Sequence, residues 1–346
     1  MATLGLVLGG GGLVGMAYHA GVLKALHDRG VDLARADIMV GTSAGAILAA
    51  YLAIGWTPQD FYDYAYGRHP DSTADPDEQR EEVARIFTPL WSSGSERLRR
   101  SIGSMFAVAS SRGYWNRVAR GRVPLQQLRR FFPAGMYSTN ESQERFRHDL
   151  PSEWPRDGIY LCAADLYSGA RVPFGAPGAP PSPFHDAVLA SIAIPGVFPS
   201  VRIGGRHYVD GGVHSATSLD LAADAGCDAI LCVAPLGYRR DIAMSVRDVR
   251  KLAPIVLRAG FARALKREVI AARERGIHVF VIRPYLSELG IHGTNSMRHH
   301  DRTAVVEGAL EGTTRLLDEH ADEPALRSFL DATHKSQIES ESARRA

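Results

Sequence analysis

Leu4-Gly5-Leu6-Val7-Leu8 is a short apolar run that leads into four glycines, Gly9 to Gly12, and then into an amphipathic segment from Met16 to His27. That order predicts strand, tight turn, helix. The pattern repeats at Ile38-Met39-Val40, followed by Gly41-Thr42-Ser43-Ala44-Gly45 and a helical stretch from Ala46 to Ile54. Two such units in succession imply parallel strands joined by right-handed crossovers. The expected fold class is α/β, a mostly parallel central sheet flanked by helices.

Further along, residues 69–82 are polar and acidic and read as a loop entering a helix. Between Arg97 and Arg130 there are nine arginines, no lysine and no acid, interleaved with Met105, Phe106, Tyr114, Trp115 and Leu125. Residues 86–147 therefore read as an inserted, arginine-rich helical cap within a single domain spanning 1–335. The α/β pattern resumes at Ile159 (IYLCAADL), with a helix at Ala187–Ala193, another near Leu219–Ala225 and a strand at Ala229–Val233. A long helix is expected over Met244–Arg275, then a strand at His278–Arg283 and a last helix from Thr303 to Leu317. The tail 336–346 (SQIESESARRA) reads as disordered.

The 346 residues carry 40 Lys and Arg against 38 Asp and Glu, a net charge of +2, with 45% hydrophobic and 23% charged residues. These values place the chain among globular proteins. Three cysteines, Cys162, Cys227 and Cys232, show no CxxC spacing, so neither a disulfide framework nor a structural zinc site is expected. Cys162 and Cys232 sit in apolar runs and read as small buried hydrophobes, which suits a reducing, cytoplasmic setting. Residues 1–23 carry no Asp, Glu, Lys or Arg, but they lack a basic leader and glycines interrupt the apolar run. The expectation is a soluble protein, at most peripheral to a membrane.

Three features point to chemistry. Gly41-Thr42-Ser43-Ala44-Gly45 is a G-x-S-x-G between a predicted strand and a predicted helix, where a strained turn would present the Ser43 hydroxyl. Read blandly, it is a glycine-rich turn with an incidental serine. Gly10-x-Gly12-x-x-Gly15 matches a dinucleotide fingerprint, but the second strand ends in Gly41-Thr42-Ser43 and carries no acid to hold a ribose. The other reading of Gly10, Gly11 and Gly12 is an oxyanion hole of close-approaching N–H groups. Asp210, in Tyr208-Val209-Asp210-Gly211-Gly212, is either a turn acid or the base that a serine nucleophile needs. His207 and His214 flank it as rival bases. His292, His299 and His300 read as members of a solvated polar segment, and no metal-binding spacing is seen.

Together GGGGLVG, GTSAG, SIAIPGVFPSV and YVDGG resemble, in order and spacing, the patatin-like phospholipases over roughly residues 4–235. The resemblance implies a three-layer α/β sandwich, a Ser–Asp dyad and hydrolysis of lipid acyl esters without cofactor or metal. By position it makes Ser43 the nucleophile, Asp210 the base, and Gly10, Gly11 and Gly12 the oxyanion loop, with Gly15, Gly41, Gly45, Gly211 and Gly212 as supporting positions. Three positions, in two of the motifs, depart from the family pattern. Val14 stands where a basic residue is usual, and Ala216 and Ser218 stand where Asn and Pro often follow the DGG. Other readings are a lipid-binding regulator on the same fold, an acyltransferase and a nucleotide-binding module. The arginine stretch favours contact with an anionic membrane through 97–130 over nucleic acid.

Overall fold

A computed structural model describes residues 2–111, 135–239, 252–297 and 301–333. The chain divides into two compact units, one of Met1–Thr73 with Thr217–Ala346 and one of Ala74–Ala216. The architecture is the expected α/β, with helices flanking a mixed sheet that is parallel in the first unit and antiparallel in the second.

In the first unit β1 (Leu4–Leu8) lies between β2 (Ile38–Thr42) and β7 (Ala229–Val233), and β8 (His278–Ile282) follows β7, all parallel. Every residue of β1 and β7 is buried. This is why their sequences are unbroken apolar runs, the mark of strands covered on both faces.

Helix α1 (Gly12–Asp28) follows β1 and α2 (Ala44–Ala53) follows β2. The first begins at Gly12, not at Met16 as expected, because the Val14 N–H donates to the Ser296 carbonyl and holds the opening turn. Helix α3 (Pro58–Ala65) starts with a reciprocal cap between Thr57 and Asp60.

In the second unit β3 (Ile159–Asp165) pairs antiparallel with β4 (Arg171–Phe174) and with β6 (Arg206–Asp210), and β5 (Val201–Ile203) pairs with β6. Its helices are α4 (Pro76–Ile86), α5 (Gly94–Ser111), α6 (Asn140–Asp149) and α7 (Phe184–Ile192). Two of them, α5 and α6, fall in the stretch expected to be helical. Arg112, Tyr114, Arg117 and the rest of 112–134 lie outside the described residues, as do His299, His300 and the tail 336–346.

Back in the first unit, α8 (Leu219–Asp224), α9 (Leu252–Glu274), α10 (Leu289–His292) and α11 (Arg302–Glu319) complete the chain. All three cysteines are free and buried. Among the described residues no helix is long and apolar enough to cross a membrane.

The packing of α1 on α11 turns on Gly21, where a Cβ would stand 2.3 Å from the Val306 carbonyl oxygen and 2.8 Å from the Ala309 Cβ. Gly260, at an exposed position of α9, has nothing within 4 Å of such a Cβ. Opposite outcomes are expected from one methyl group. Gly21→Ala should destabilise by about 1–3 kcal/mol through overpacking, and Gly260→Ala should stabilise by roughly 0.5–1 kcal/mol. Urea midpoints of the two variants check this, and a Gly21→Ala midpoint at or above the parent's refutes the close crossing.

Candidate functional site

Because Leu8 of β1 is in register with Gly41 of β2, the two strands end side by side. The glycine loop Gly9–Gly12 and the turn at Ser43 therefore leave the carboxyl edge of the sheet together, where α/β folds bind ligands.

Ser43 sits between β2 and α2 with φ 54° and ψ −122°, one of two described non-glycine residues with positive φ. It is 7% exposed, and its side chain does not cap α2. A conformation this sparsely populated persists only where its surroundings impose it. The surroundings are the two glycines. A Cβ on Gly41 would lie 2.7 Å from the Ala46 Cα, and one on Gly45 would lie 1.9 Å from the Leu8 carbonyl oxygen. Side chains at either place would push α2 off the end of β1 and unwind the turn.

The glycine loop is equally crowded. A Cβ on Gly11 would stand 2.7 Å from the Gly15 Cα and 2.9 Å from the Pro235 Cβ, and Gly15 lies 3.7 Å by the same measure from the Ala44 Cβ. Gly9 N–H donates to the Val233 carbonyl at 2.8 Å, which ties the loop to β7. Among the described residues the N–H groups of Gly10 and Gly11 donate to no protein acceptor. Val14, in place of the usual basic residue, is 6% exposed.

Two buried groups beside this loop were not read from sequence. His19, on α1, is fully buried and donates from Nε2 to the Gly9 carbonyl at 2.7 Å. Burial pushes its pKa down to about 4 against the opposing effect of that bond. Arg258, on α9, donates from Nη1 to the Pro235 carbonyl at 2.6 Å and from Nη2 to His292 Nδ1 at 3.4 Å.

His292 corrects an expectation. It is 2% exposed rather than solvated, it meets Tyr18 edge-on at 5.6 Å, and burial followed by the Arg258 charge pushes its pKa down to about 3. Neither histidine gave a local signal, since the partners, Gly9 across the turn for His19 and Arg258 for His292, lie outside the helical repeat that a sequence pattern reports.

In the second unit Asp210 ends β6, 4% exposed. Its N–H donates to the Ala193 carbonyl at 2.9 Å, and its Oδ1 accepts from the Gly212 N–H at 2.7 Å. Gly211 lets the chain turn here, because its Cβ would lie 2.4 Å from the Cys162 carbonyl oxygen. That same oxygen accepts from Ser191 Oγ at 2.6 Å. His207 is engaged otherwise, with Nδ1 3.1 Å from Ser200 Oγ and its ring edge-on to Tyr167, and His214 is exposed. Among the described residues no group of three or more His, Cys, Asp or Glu is gathered as a metal site.

A strained serine turn and a glycine loop at the carboxyl ends of adjacent parallel strands place the chain among α/β proteins with a candidate site at the carboxyl edge of the sheet. Comparison of the sequence with known families then matches residues 6–223 to the patatin-like phospholipases, and the chain belongs to that family.

Among curated proteins it is 28% identical over 263 residues to the uncharacterised NTE family proteins Rv2565 of Mycobacterium tuberculosis and Mb2594 of Mycobacterium bovis. The match takes in 76% of this chain and 35% of each relative, so the chain spans about a third of their length. Among solved structures it is similar to VipD from Legionella pneumophila (16% identity, TM-score 0.44, 92% of this chain and 67% of that one). It is also similar to the ExoU–SpcU complex of the Pseudomonas aeruginosa type III secretion system (17% identity, TM-score 0.36, 100% and 60%).

The strain at Ser43 has a measurable consequence. Ser43→Gly should raise stability by about 1 kcal/mol, since glycine adopts positive φ freely. Ser43→Ala keeps the strain and should leave the urea midpoint near the parent's. A Ser43→Gly midpoint below that of Ser43→Ala would show that the turn is relaxed.

Proposed function

We propose that the protein is a serine-dependent lipid acyl hydrolase of phospholipase A, lysophospholipase or carboxylesterase type, working through Ser43 and Asp210. The observation that carries this reading is the conformation of Ser43, held at positive φ beside a glycine loop with undonated N–H groups.

In this mechanism the Asp210 carboxylate takes the proton from Ser43 Oγ as the oxygen attacks the ester carbonyl. The N–H groups of Gly10, Gly11 and Gly12 receive the negative charge on the tetrahedral oxygen, aided by the positive ends of α1 and α2. Collapse of this intermediate breaks the ester bond, and the leaving alcohol takes its proton from Asp210. Water, deprotonated by Asp210, then attacks the acyl-serine, and collapse releases the fatty acid as Asp210 returns the proton to Ser43 Oγ. A bond from the Gly212 N–H to Oδ1 fixes the direction of the Asp210 carboxylate against its own turn.

The stretch 97–130 is the proposed contact with an anionic membrane, and residues 86–147 the proposed cap. Leu98 is 63% exposed between Arg97 and Arg99, a pairing of apolar and basic groups suited to a lipid surface. Arg100 instead turns inward to Glu96 and the Gly135 carbonyl.

Ser43→Ala should abolish both ester hydrolysis and labelling by a fluorophosphonate probe while the fold is kept, and Asp210→Asn should lower turnover at least ~10²-fold. Hydrolysis surviving in clean Ser43→Ala protein removes the assignment. Loss of activity in His207→Ala or His214→Ala but not in Asp210→Asn replaces the base. Product analysis with an added acceptor alcohol separates hydrolase from transferase.

For the surface, binding to anionic vesicles should weaken as salt rises past the ~10 Å screening length reached near 0.1 M. The double change Arg97→Gln with Arg99→Gln should weaken it too while sparing hydrolysis of a soluble short-chain ester. Vesicle affinity indifferent to both removes the membrane role.

A further inference from the structure

We infer that His19 is the positioning residue of the glycine loop, fixing the direction of the Gly10 N–H. The inference rests on the oxyanion role proposed above for that loop.

His19 lies about two turns into α1, with Nε2 2.7 Å from the Gly9 oxygen. A carbonyl oxygen only accepts, so Nε2 carries the proton and Nδ1 does not. Gly9 is thus held from both sides, its N–H by Val233 of β7 and its C=O by His19 of α1.

The next amide shares a plane with that carbonyl. A peptide unit is planar, and no peptide bond in the described chain is cis, so the Gly10 N–H points opposite to the Gly9 C=O. Drawing the carbonyl toward α1 therefore turns the Gly10 N–H away from the helix. No side chain on Gly9 or Gly10 can hold this orientation, and glycine visits both signs of φ at little cost. The imidazole supplies the missing restraint. The same hydrogen bond also polarises the amide and strengthens its N–H as a donor.

The other ring nitrogen argues in the same direction. His19 Nδ1 is buried with no hydrogen-bond partner among the described residues. An orphaned buried acceptor costs stability, so an apolar residue here would relieve it. Histidine in this slot is explained by what Nε2 does for Gly9. The ring touches no substrate in the proposed mechanism, which makes it a positioning residue.

Steady-state hydrolysis of a soluble p-nitrophenyl ester and the rate of fluorophosphonate labelling test this on the full chain, with Ser43→Ala alongside. His19→Leu should lower kcat about 10- to 100-fold, at or below the cost of losing an oxyanion donor outright, with labelling slowed in parallel. KM should stay within about twofold, since the interaction lost acts in the transition state. His19→Gln, whose amide nitrogen keeps a donor at similar reach, should recover most of the rate.

A folded His19→Leu with parent kcat overturns the inference, and so does a Gln variant no better than Leu. Should His19→Leu fail to fold, the comparison passes to His19→Gln and His19→Asn. The shorter Asn amide does not span the gap, so Gln active and Asn impaired supports the inference, and equal rates overturn it. A parent protein that neither hydrolyses nor labels overturns the hydrolase reading and the oxyanion role of His19 with it. An active parent, an inactive Ser43→Ala and His19 variants at full rate overturn the His19 assignment alone.

Discussion

The approach of Gly45 to the Leu8 carbonyl oxygen is the contact on which the first unit's candidate site depends. With no side chain at Gly45, α2 starts directly against the end of β1, at a distance that would place a Cβ 1.9 Å from that oxygen. The neighbouring strands then finish level, Leu8 opposite Gly41, and the loop leaving one faces the turn leaving the other. Hydrophobic burial of β1 and β7 sets the platform, and this one contact sets the spacing on top of it.

Polar atoms at that edge are held from behind. The Val233 carbonyl takes the Gly9 N–H, His19 takes the Gly9 carbonyl, and Arg258 takes the carbonyl of Pro235, the residue packed on Gly11. Each bond is buried, where hydrogen bonds gain strength and an unpaired group is costly. The loop is made of glycines, the least self-restrained residues, and its rigidity is borrowed from β7, α1 and α9.

Much of this was legible in the sequence, and the reason lies in what each signal measures. Apolar runs report burial, so β1 and β7 were read to the residue and β3 and β8 nearly so. Turn glycines report close approach, so the loop and the Ser43 turn were found. His19 and His292 left no such trace. Their partners lie outside the local helical pattern, Gly9 ten residues from His19 across the turn and Arg258 34 residues from His292, and no periodicity encodes either pairing. The opening of α1 at Gly12 was missed for the same reason, since Ser296, distant in sequence, holds that turn.

Five residues of the G-x-S-x-G stretch meet three separate demands, and this gives the short pattern its meaning here. Gly41 must clear the first turn of its own helix, Gly45 must clear the neighbouring strand, and Ser43 must accept a positive φ that a side chain disfavours. A chance occurrence in a surface loop satisfies none of them, because nothing presses on its glycines and its serine relaxes to negative φ. Asp210 shows the same logic in the second unit: Gly211 is pressed on the Cys162 carbonyl, and the Gly212 N–H returns to the carboxylate. In each unit the glycines beside the proposed catalytic side chain are set by packing against backbone. Orientation of the serine and of the acid is therefore a property of the folded framework before any substrate arrives, and the electrostatic account of catalysis requires that order of events.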